Sequence, residues 1–364
     1  MHEEFIKEND PLQQDECQDR AWNFCDQCLR PALVDYVNKR LGTEIVDDIL
    51  SSERSVEYST RRFFQFFVLK QLLEENDFNT YVQYTRNYVD FIKTWIQRHL
   101  LMLYKEKARL GDLEKRIFSP IINKFSHVLK YSKGERTKTV SAFLDNLCEK
   151  LQQDLVIPRD SLEVTMFKNT ASADQFSAFI EQFIPDLEKQ ILSTFENLEI
   201  QSKLSKLAMK PQDEIFKRVF GCGKQCPFFK VPCEAGAPAH NEHFASVHLP
   251  EGLGAYRWNK TRVLVSDICS SSVDSNKTFR CLETKGEFHP YKDYGKFFPD
   301  CFIQPDPSIT ASDFWKFVFK EFNHQFAKEF DALPADLPDD WGEITKEQAL
   351  ESLKEAFTLK SKTG

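Results

Sequence analysis

Between Cys222 and His248 the chain reads CGKQCPFFKVPCEAGAPAHNEHFASVH, and no other stretch limits the fold as much. It carries Cys222, Cys226, Cys233, His240, His243 and His248 alongside Pro227, Pro232 and Pro238. The prolines forbid a long helix, and the segment has too few apolar side chains to build a core of its own. A tetrahedral zinc site takes four thiolate or imidazole ligands, commonly a close Cys pair, a spacer and a His pair. Cys222 and Cys226 fit the first pair and His243 and His248 the second, with Cys233 as a rival ligand. The expected metal ligands are therefore drawn from Cys222, Cys226, Cys233, His243 and His248. The expected cofactor is a structural Zn2+ ion, whose binding contributes folding free energy directly. A catalytic zinc would keep one position open and need a general base. Glu234 and Glu242 are near in sequence, but the sequence does not fix their geometry. The bland alternative is reduced thiols and histidines on a polar loop.

The chain has 364 residues, enough for two or three domains. Its 48 Lys and Arg against 56 Asp and Glu give a net charge of -8. That balance opposes a nucleic-acid surface, which needs clustered positive charge. The start, MHEEFIKEND, has no apolar signal region, and the longest apolar run, RRFFQFFVLKQLL, is broken by Gln65 and Lys70. No membrane span is expected, and the ten cysteines are expected to be reduced in cytosol or nucleus.

Only 12 Gly against 33 Phe favours helices packed through aromatic side chains. The fold class expected is mainly α, an elongated multi-helix bundle with a Cys/His-rich loop and a small mixed α+β C-terminal part. Its expected domains are a helical bundle at 1–221, a Cys/His-rich zinc knuckle at 222–255 and a mixed part with Phe-rich helices at 256–364. One helix is expected from about Asp15 to Leu41, ending at Gly42 as a cap. A single long helix opening at Asn79 or Thr80 places Tyr81, Tyr84, Tyr88, Phe91, Trp95 and Met102 on one stripe. Helices follow at about 112–132, 138–155 and 173–198, the last kinked at Pro185. Cys25 and Cys28 mimic a redox pair but sit in a helical pattern, so they read as buried thiols. Arg61, Arg62, Glu74 and Glu75 read as solvated helix faces. TRVLVSDICSSSV is the clearest strand-like segment. The Pro-rich stretch 274–308 reads as an aromatic loop laid on a core. A Phe-rich helix is expected from Ser312 to about Phe330, and Thr345 with Gln348 makes a capping box for the last one.

No phosphate loop, GxSxG elbow, HExxH or dinucleotide turn is present. GCGKQ at 221–225 lacks the upstream Gly and has Gln225 where a hydroxyl is needed.

Several blocks resemble a family: CDQCLRPALVDYVNKRLGTEIVDDIL, CGKQCPFFKVPCE with HFASVH, GLGAYRW, HPYKDYGKFFPD and DPSITASDFWKFVFKEFNHQFAKEF. They look like the C-terminal region of the interferon-induced very large GTPases and the related up-regulator of cell proliferation proteins. The resemblance implies an interferon-linked or growth-linked cytosolic setting and a parent GTP-binding domain not found in these residues. It implies assembly rather than hydrolysis, with the family's GTPase domain or a second copy as partner. The family pattern carries a further Cys three residues after Cys226, where this chain has Phe229. That departure leaves Cys222 or Cys233 to fill the vacancy beside Cys226, His243 and His248. The expected function is a non-enzymatic helical interaction module, and the alternatives are a zinc-dependent enzyme or a zinc-bearing adaptor. A single ligand set opposes a cross-braced, two-zinc adaptor.

Overall fold

A computed structural model describes residues 11–52, 55–133, 139–151, 154–158, 172–233, 240, 243, 245 and 248–358. Among them the chain is mainly α. Helix α1 (Pro11–Asn23) passes through a π-helical segment, Phe24–Leu29, into α2 (Arg30–Ser51). There follow α3 (Ser55–Ser59), α4 (Arg61–Glu75), α5 (Phe78–Arg86), α6 (Tyr88–Leu103), α7 (Lys107–Lys133) and α8 (Val140–Leu151). Next come α9 (Ala173–Asn197), α10 (Ile200–Lys206) and α11 (Pro211–Phe220). The C-terminal part holds α12 (Cys269–Val273), α13 (Asp313–Glu329), α14 (Asp339–Gly342) and α15 (Lys346–Thr358). Its β1 (Thr278–Phe279) pairs antiparallel with β2 (His289–Pro290), Thr278 opposite Pro290. No described helix is long and apolar enough to cross a membrane.

The chain forms two compact units that alternate in sequence. One is built from described residues of 1–48 and 99–211, the other from those of 49–98 and 212–364.

In the first unit, α2 runs straight through Gly42, where the sequence suggested a stop. The glycine answers a packing demand instead, because a Cβ there would lie 2.2 Å from the Met209 carbonyl oxygen. Gly42→Ala is therefore expected to destabilise the unit by about 1–3 kcal/mol through overpacking. That would reverse the roughly 1 kcal/mol that Ala ordinarily gains over Gly in a helix, and a thermal melt would show it. The π-helical segment buries Cys25 and Cys28, as expected of packed thiols. Burial pushes the Cys25 thiol up to about 12. Trp22 meets Phe183 edge-on at 5.2 Å and Phe24 lies 6.2 Å from Phe176, tying the entry helices to α9. Both α7 and α9 stay helical through internal prolines, Pro120 and Pro185.

The expected long helix of the second unit is two, α5 and α6, parted at Asn87 (φ -126°, ψ 49°). Asp77, rather than Asn79 or Thr80, caps α5 by accepting from the Thr80 amide at 2.9 Å. Tyr81, Tyr84, Tyr88, Phe91 and Trp95 are buried as their spacing demands, but Met102 is 63% exposed. Tyr88 stacks on Phe220 and Trp95 meets Phe64 edge-on, while Tyr81 and Tyr84 face α13, where Phe314, Trp315, Val318, Phe319, Phe322 and Phe326 are buried. Tyr84 and Trp315 rings stand 6.0 Å apart and Phe78 and Phe326 rings 5.0 Å apart. Arg61 also departs from expectation. It is 8% exposed, and its guanidinium nitrogens have no hydrogen-bond partner among the described residues.

The segment TRVLVSDICSSSV is not a sheet strand. Val263 bridges Leu333, Leu264 bridges Arg257, and the chain turns into α12 at Cys269. Burial runs in neighbouring pairs, Leu264 with Val265 and Ile268 with Cys269, rather than on alternate residues. The stretch 274–308 does lie on an aromatic core, whose centre is fully buried Phe228. Phe279, Tyr291 and Phe298 surround it at 5.1, 5.0 and 5.9 Å. At the far end, Gln348 Oε1 accepts from the Thr345 amide at 2.8 Å while Thr345 Oγ1 accepts from the Gln348 amide, completing the capping box.

Beside that core Glu251 is 1% exposed, and Tyr291 donates its hydroxyl to Oε2 at 2.6 Å. Burial pushes the Glu251 carboxyl up from 4.5 to about 7, and nearby Asp267 pushes the same way while Lys277 opposes. A carboxyl raised on folding contributes stability that is full below its unfolded value and is lost as pH rises through the folded one. The effect amounts to roughly 3 kcal/mol at most. Urea unfolding at pH 5 and pH 8 should therefore show wild type weaker at the higher pH, and Glu251→Gln should flatten that difference.

Candidate metal centre

The chain leaves α11 through a turn in which Cys222 stands between Gly221 and Gly223, both left-handed with φ of 68° and 75°. Glycine takes that region without a Cβ penalty. At Gly221 a Cβ would also strike the Arg61 guanidinium, 2.3 Å away. A small hairpin follows. Gln225 bridges Pro232, the Cys226 amide donates to Val231 oxygen at 2.8 Å, and the Cys233 amide donates to Lys224 oxygen at 2.8 Å. Lys230, left-handed at φ 60°, closes the turn, and its amide donates to the Cys226 oxygen. The hairpin returns Cys233 opposite Lys224, close to Cys222 in the chain.

His243 is placed by a different segment. Its amide donates to Asp300 oxygen and its oxygen accepts from the Phe302 amide, both at 2.9 Å, a parallel bridge to Cys301. The donor atoms of Cys222, Cys233, His240 and His243 then all lie within 4.8 Å of one another. Cys222 Sγ is 3.4 Å from His243 Nδ1, Cys233 Sγ is 3.3 Å from His240 Nε2, and the two ring nitrogens are 2.9 Å apart. Zinc with bonds of ~2.3 Å to sulfur and ~2.0 Å to nitrogen requires tetrahedral edges of about 3.5 Å between S and N and about 3.3 Å between two N. The group fits a metal ion on donor type and number; its S–N distances lie near the required edge, while the N–N distance is shorter and the donors spread up to 4.8 Å.

Electrostatics agree. Burial and the neighbouring His240 hold the His243 imidazole below its ordinary value, and a neutral ring is what a metal needs. With Nδ1 toward the cluster, its Nε2 faces the Asp300 carboxylate at 3.6 Å, and Lys224 holds that carboxylate at 3.1 Å. A carboxylate behind a ligating imidazole orients the ring and fixes its tautomer.

Of the five residues expected from spacing, Cys222, Cys233 and His243 converge, and His240 joins them. Cys226 and His248 lie outside this group. The Cys226 thiol contacts Cys269 and Cys301, and His248 Nδ1 faces Cys269 Sγ at 3.8 Å. Burial raises the Cys226 thiol well above its usual value. Phe229, at the family's Cys position, is buried with its ring 5.4 Å from that of His248. Glu234 and Glu242 fall outside the described residues. The signal for His240 was its spacing of three from His243, and that for Cys233 was the turn chemistry of CPFFK.

Residues 222–353 match the family model described as "Interferon-induced very large GTPase 1, C-terminal domain", a span that contains every residue of the cluster. Mouse interferon-induced very large GTPase 1 is 28% identical over 90% of this chain, and its human counterpart is 27% identical over 79%. The chain spans 14% and 12% of the length of those relatives. No solved structure matches it. The sequence blocks, the domain match and both relatives show that the chain resembles the C-terminal region of the interferon-induced very large GTPases.

Proposed function

We propose that this chain is a non-enzymatic structural module of a very large GTPase-like protein, clamped by a Zn2+ ion on Cys222, Cys233, His240 and His243. The observation that carries the reading is the donor set: two sulfurs and two nitrogens within 4.8 Å of one another are the four donors a tetrahedral zinc takes, and such a site would leave no position for substrate or water. An enzyme would need that open position and a base beside it. A cavity of about 470 Å³ does reach Cys233 and His243, and among its described lining residues there is no carboxylate. Asp300 sits instead behind the outer nitrogen of His243, neutralised by Lys224.

Exposed Phe-rich faces would have favoured docking onto a GTPase domain or a second copy. Those on α5, α6 and α13 are largely buried. The role proposed is therefore a rigid scaffold that fixes neighbouring segments of a larger protein, rather than an adhesive apolar surface.

The test is zinc content and GTP hydrolysis, measured on the reduced wild-type chain and on Cys222→Ser and His240→Ala variants. Loss of one zinc per chain with a lowered melting temperature, and no hydrolysis in any sample, is expected. Unchanged zinc in both variants, or hydrolysis that disappears with zinc, would sink the reading.

A further inference from the structure

Arg61 begins α4 and is 8% exposed, yet Nε, Nη1 and Nη2 of its guanidinium make no hydrogen bond among the described residues. Its neighbour Arg62 donates instead to the Ala356 oxygen and lies over the Phe357 ring. An arginine cannot shed its charge, and a buried ion without a counter-ion is costly enough that its place in the fold needs a reason. That place is the turn before Cys222. A Cβ on Gly221 would lie 2.3 Å from Nη1 and 3.0 Å from Cζ, so the guanidinium packs against the backbone one residue from the first metal ligand. The turn follows the C-terminus of α11, whose dipole favours a cation, but that dipole amounts to roughly half an elementary charge. No carbonyl there accepts from Arg61 among the described residues.

We infer that Arg61 is a positioning residue of the metal centre, its guanidinium serving as the buried countercharge to the thiolate of Cys222. The inference rests on the zinc clamp proposed above and names what steadies it. When zinc binds, Cys222 and Cys233 lose their thiol protons to solvent, and negative charge appears on sulfur beside a cation already in place. A neutral thiol is a weak acceptor, whereas a thiolate takes charge-assisted N–H bonds that are roughly twice as strong as neutral ones. Burial matters here, because an exposed arginine would be screened by salt and this one is not. The charge of Arg61 also reaches the other side of the cluster: after burial and His240, Lys224 and Arg61 are the charges that hold the His243 imidazole low. Lys224 is already engaged with Asp300, and Arg61 has no such partner. Each kind of ligand is then backed by the charge that suits it, the Asp300 carboxylate behind the His243 imidazole and the guanidinium behind the turn of Cys222.

The experiment measures zinc affinity by competition with a chromophoric chelator, on the reduced chain as wild type, Arg61→Met, Arg61→Gln and Arg61→Lys, with cobalt spectra alongside. The two neutral variants are expected to bind zinc about 10–100-fold more weakly, the usual loss when a ligand's outer partner is removed. Arg61→Lys keeps the charge and should recover part of that loss. With cobalt bound, the sulfur-to-metal charge-transfer band should move to longer wavelength in the neutral variants, because the sulfur electrons lose a stabilising charge, while the ligand-field bands of tetrahedral cobalt stay in place. Neutral variants that bind as tightly as wild type overturn the inference. So does an Arg61→Lys affinity no better than theirs, since geometry rather than charge would then be at work. Weakened affinity with an unmoved charge-transfer band also overturns it, because Arg61 would then only support the fold. If Arg61→Met does not fold, the comparison of Arg61→Gln with Arg61→Lys decides. Wild type without zinc would sink the clamp and this inference together, whereas zinc held equally by wild type and the neutral variants rejects the role of Arg61 alone.

Discussion

Removing zinc from the reduced chain with a chelator is expected to collapse the order of the described residues between 222 and 301 while most helical signal survives. The segments that carry the donors have few ladder bonds of their own: the hairpin's bridge at Gln225 and Pro232, the single bridge between His243 and Cys301, and the two-residue pair of β1 and β2. Structural zinc supplies about 10–16 kcal/mol in isolated finger peptides. Here the Phe228 cluster already orders part of the region, so a loss on the order of 5 kcal/mol is expected. Near-ultraviolet circular dichroism should report it, because Phe228, Tyr256, Tyr291 and Tyr294 pack together beside the cluster. Far-ultraviolet ellipticity should fall much less. The dependence on zinc should also steepen toward acid, since each thiolate must be deprotonated to bind. An unchanged near-ultraviolet spectrum after chelation would show that the donors need no metal to hold their places.

Lys203→Met should be nearly as damaging, and for an unrelated reason. The Lys203 ammonium lies 2.8 and 2.9 Å from the two carboxylate oxygens of Glu114, with side chains 6% and 3% exposed. Breaking a buried pair by removing one partner strands the other charge and costs about 3–5 kcal/mol. Replacing both, as Lys203→Met with Glu114→Leu, should recover most of that loss, because the pair's own desolvation cost disappears with it. Burial already raises the Glu114 carboxyl despite its partner. Without Lys203 it rises further, and a carboxyl raised on folding weakens the folded state as pH climbs. Urea unfolding of the single variant should therefore be worse at pH 8 than at pH 5. A single variant no weaker than the double would contradict the buried pair.

Helical character was legible because the apolar spacing is strong. The stripes of Tyr81 to Trp95 and of Phe314 to Phe326 are buried where the pattern puts them. The errors came where tertiary contact decides. Gly42 has the look of a helix stop, and only the approach of Met209 explains its place mid-helix. Arg61 sits beside Arg62 in sequence, and only packing against the turn at Gly221 buries it. Around the metal centre the residue types were readable, but the partition was not. Ligand spacing pairs Cys222 with Cys226, whereas the fold gathers Cys222 with Cys233 and leaves Cys226 beside Cys269 and Cys301. Those two lie far along the chain, in a short helix and an isolated bridge that no local pattern announces.

The most direct measurement is X-ray absorption at the zinc edge on the folded, reduced chain. A first shell of four protein donors is expected, with sulfur at ~2.3 Å and imidazole nitrogen at ~2.0–2.1 Å and no bound water. A shell without sulfur, or one completed by an exchangeable oxygen, would contradict a closed structural clamp on Cys222, Cys233, His240 and His243.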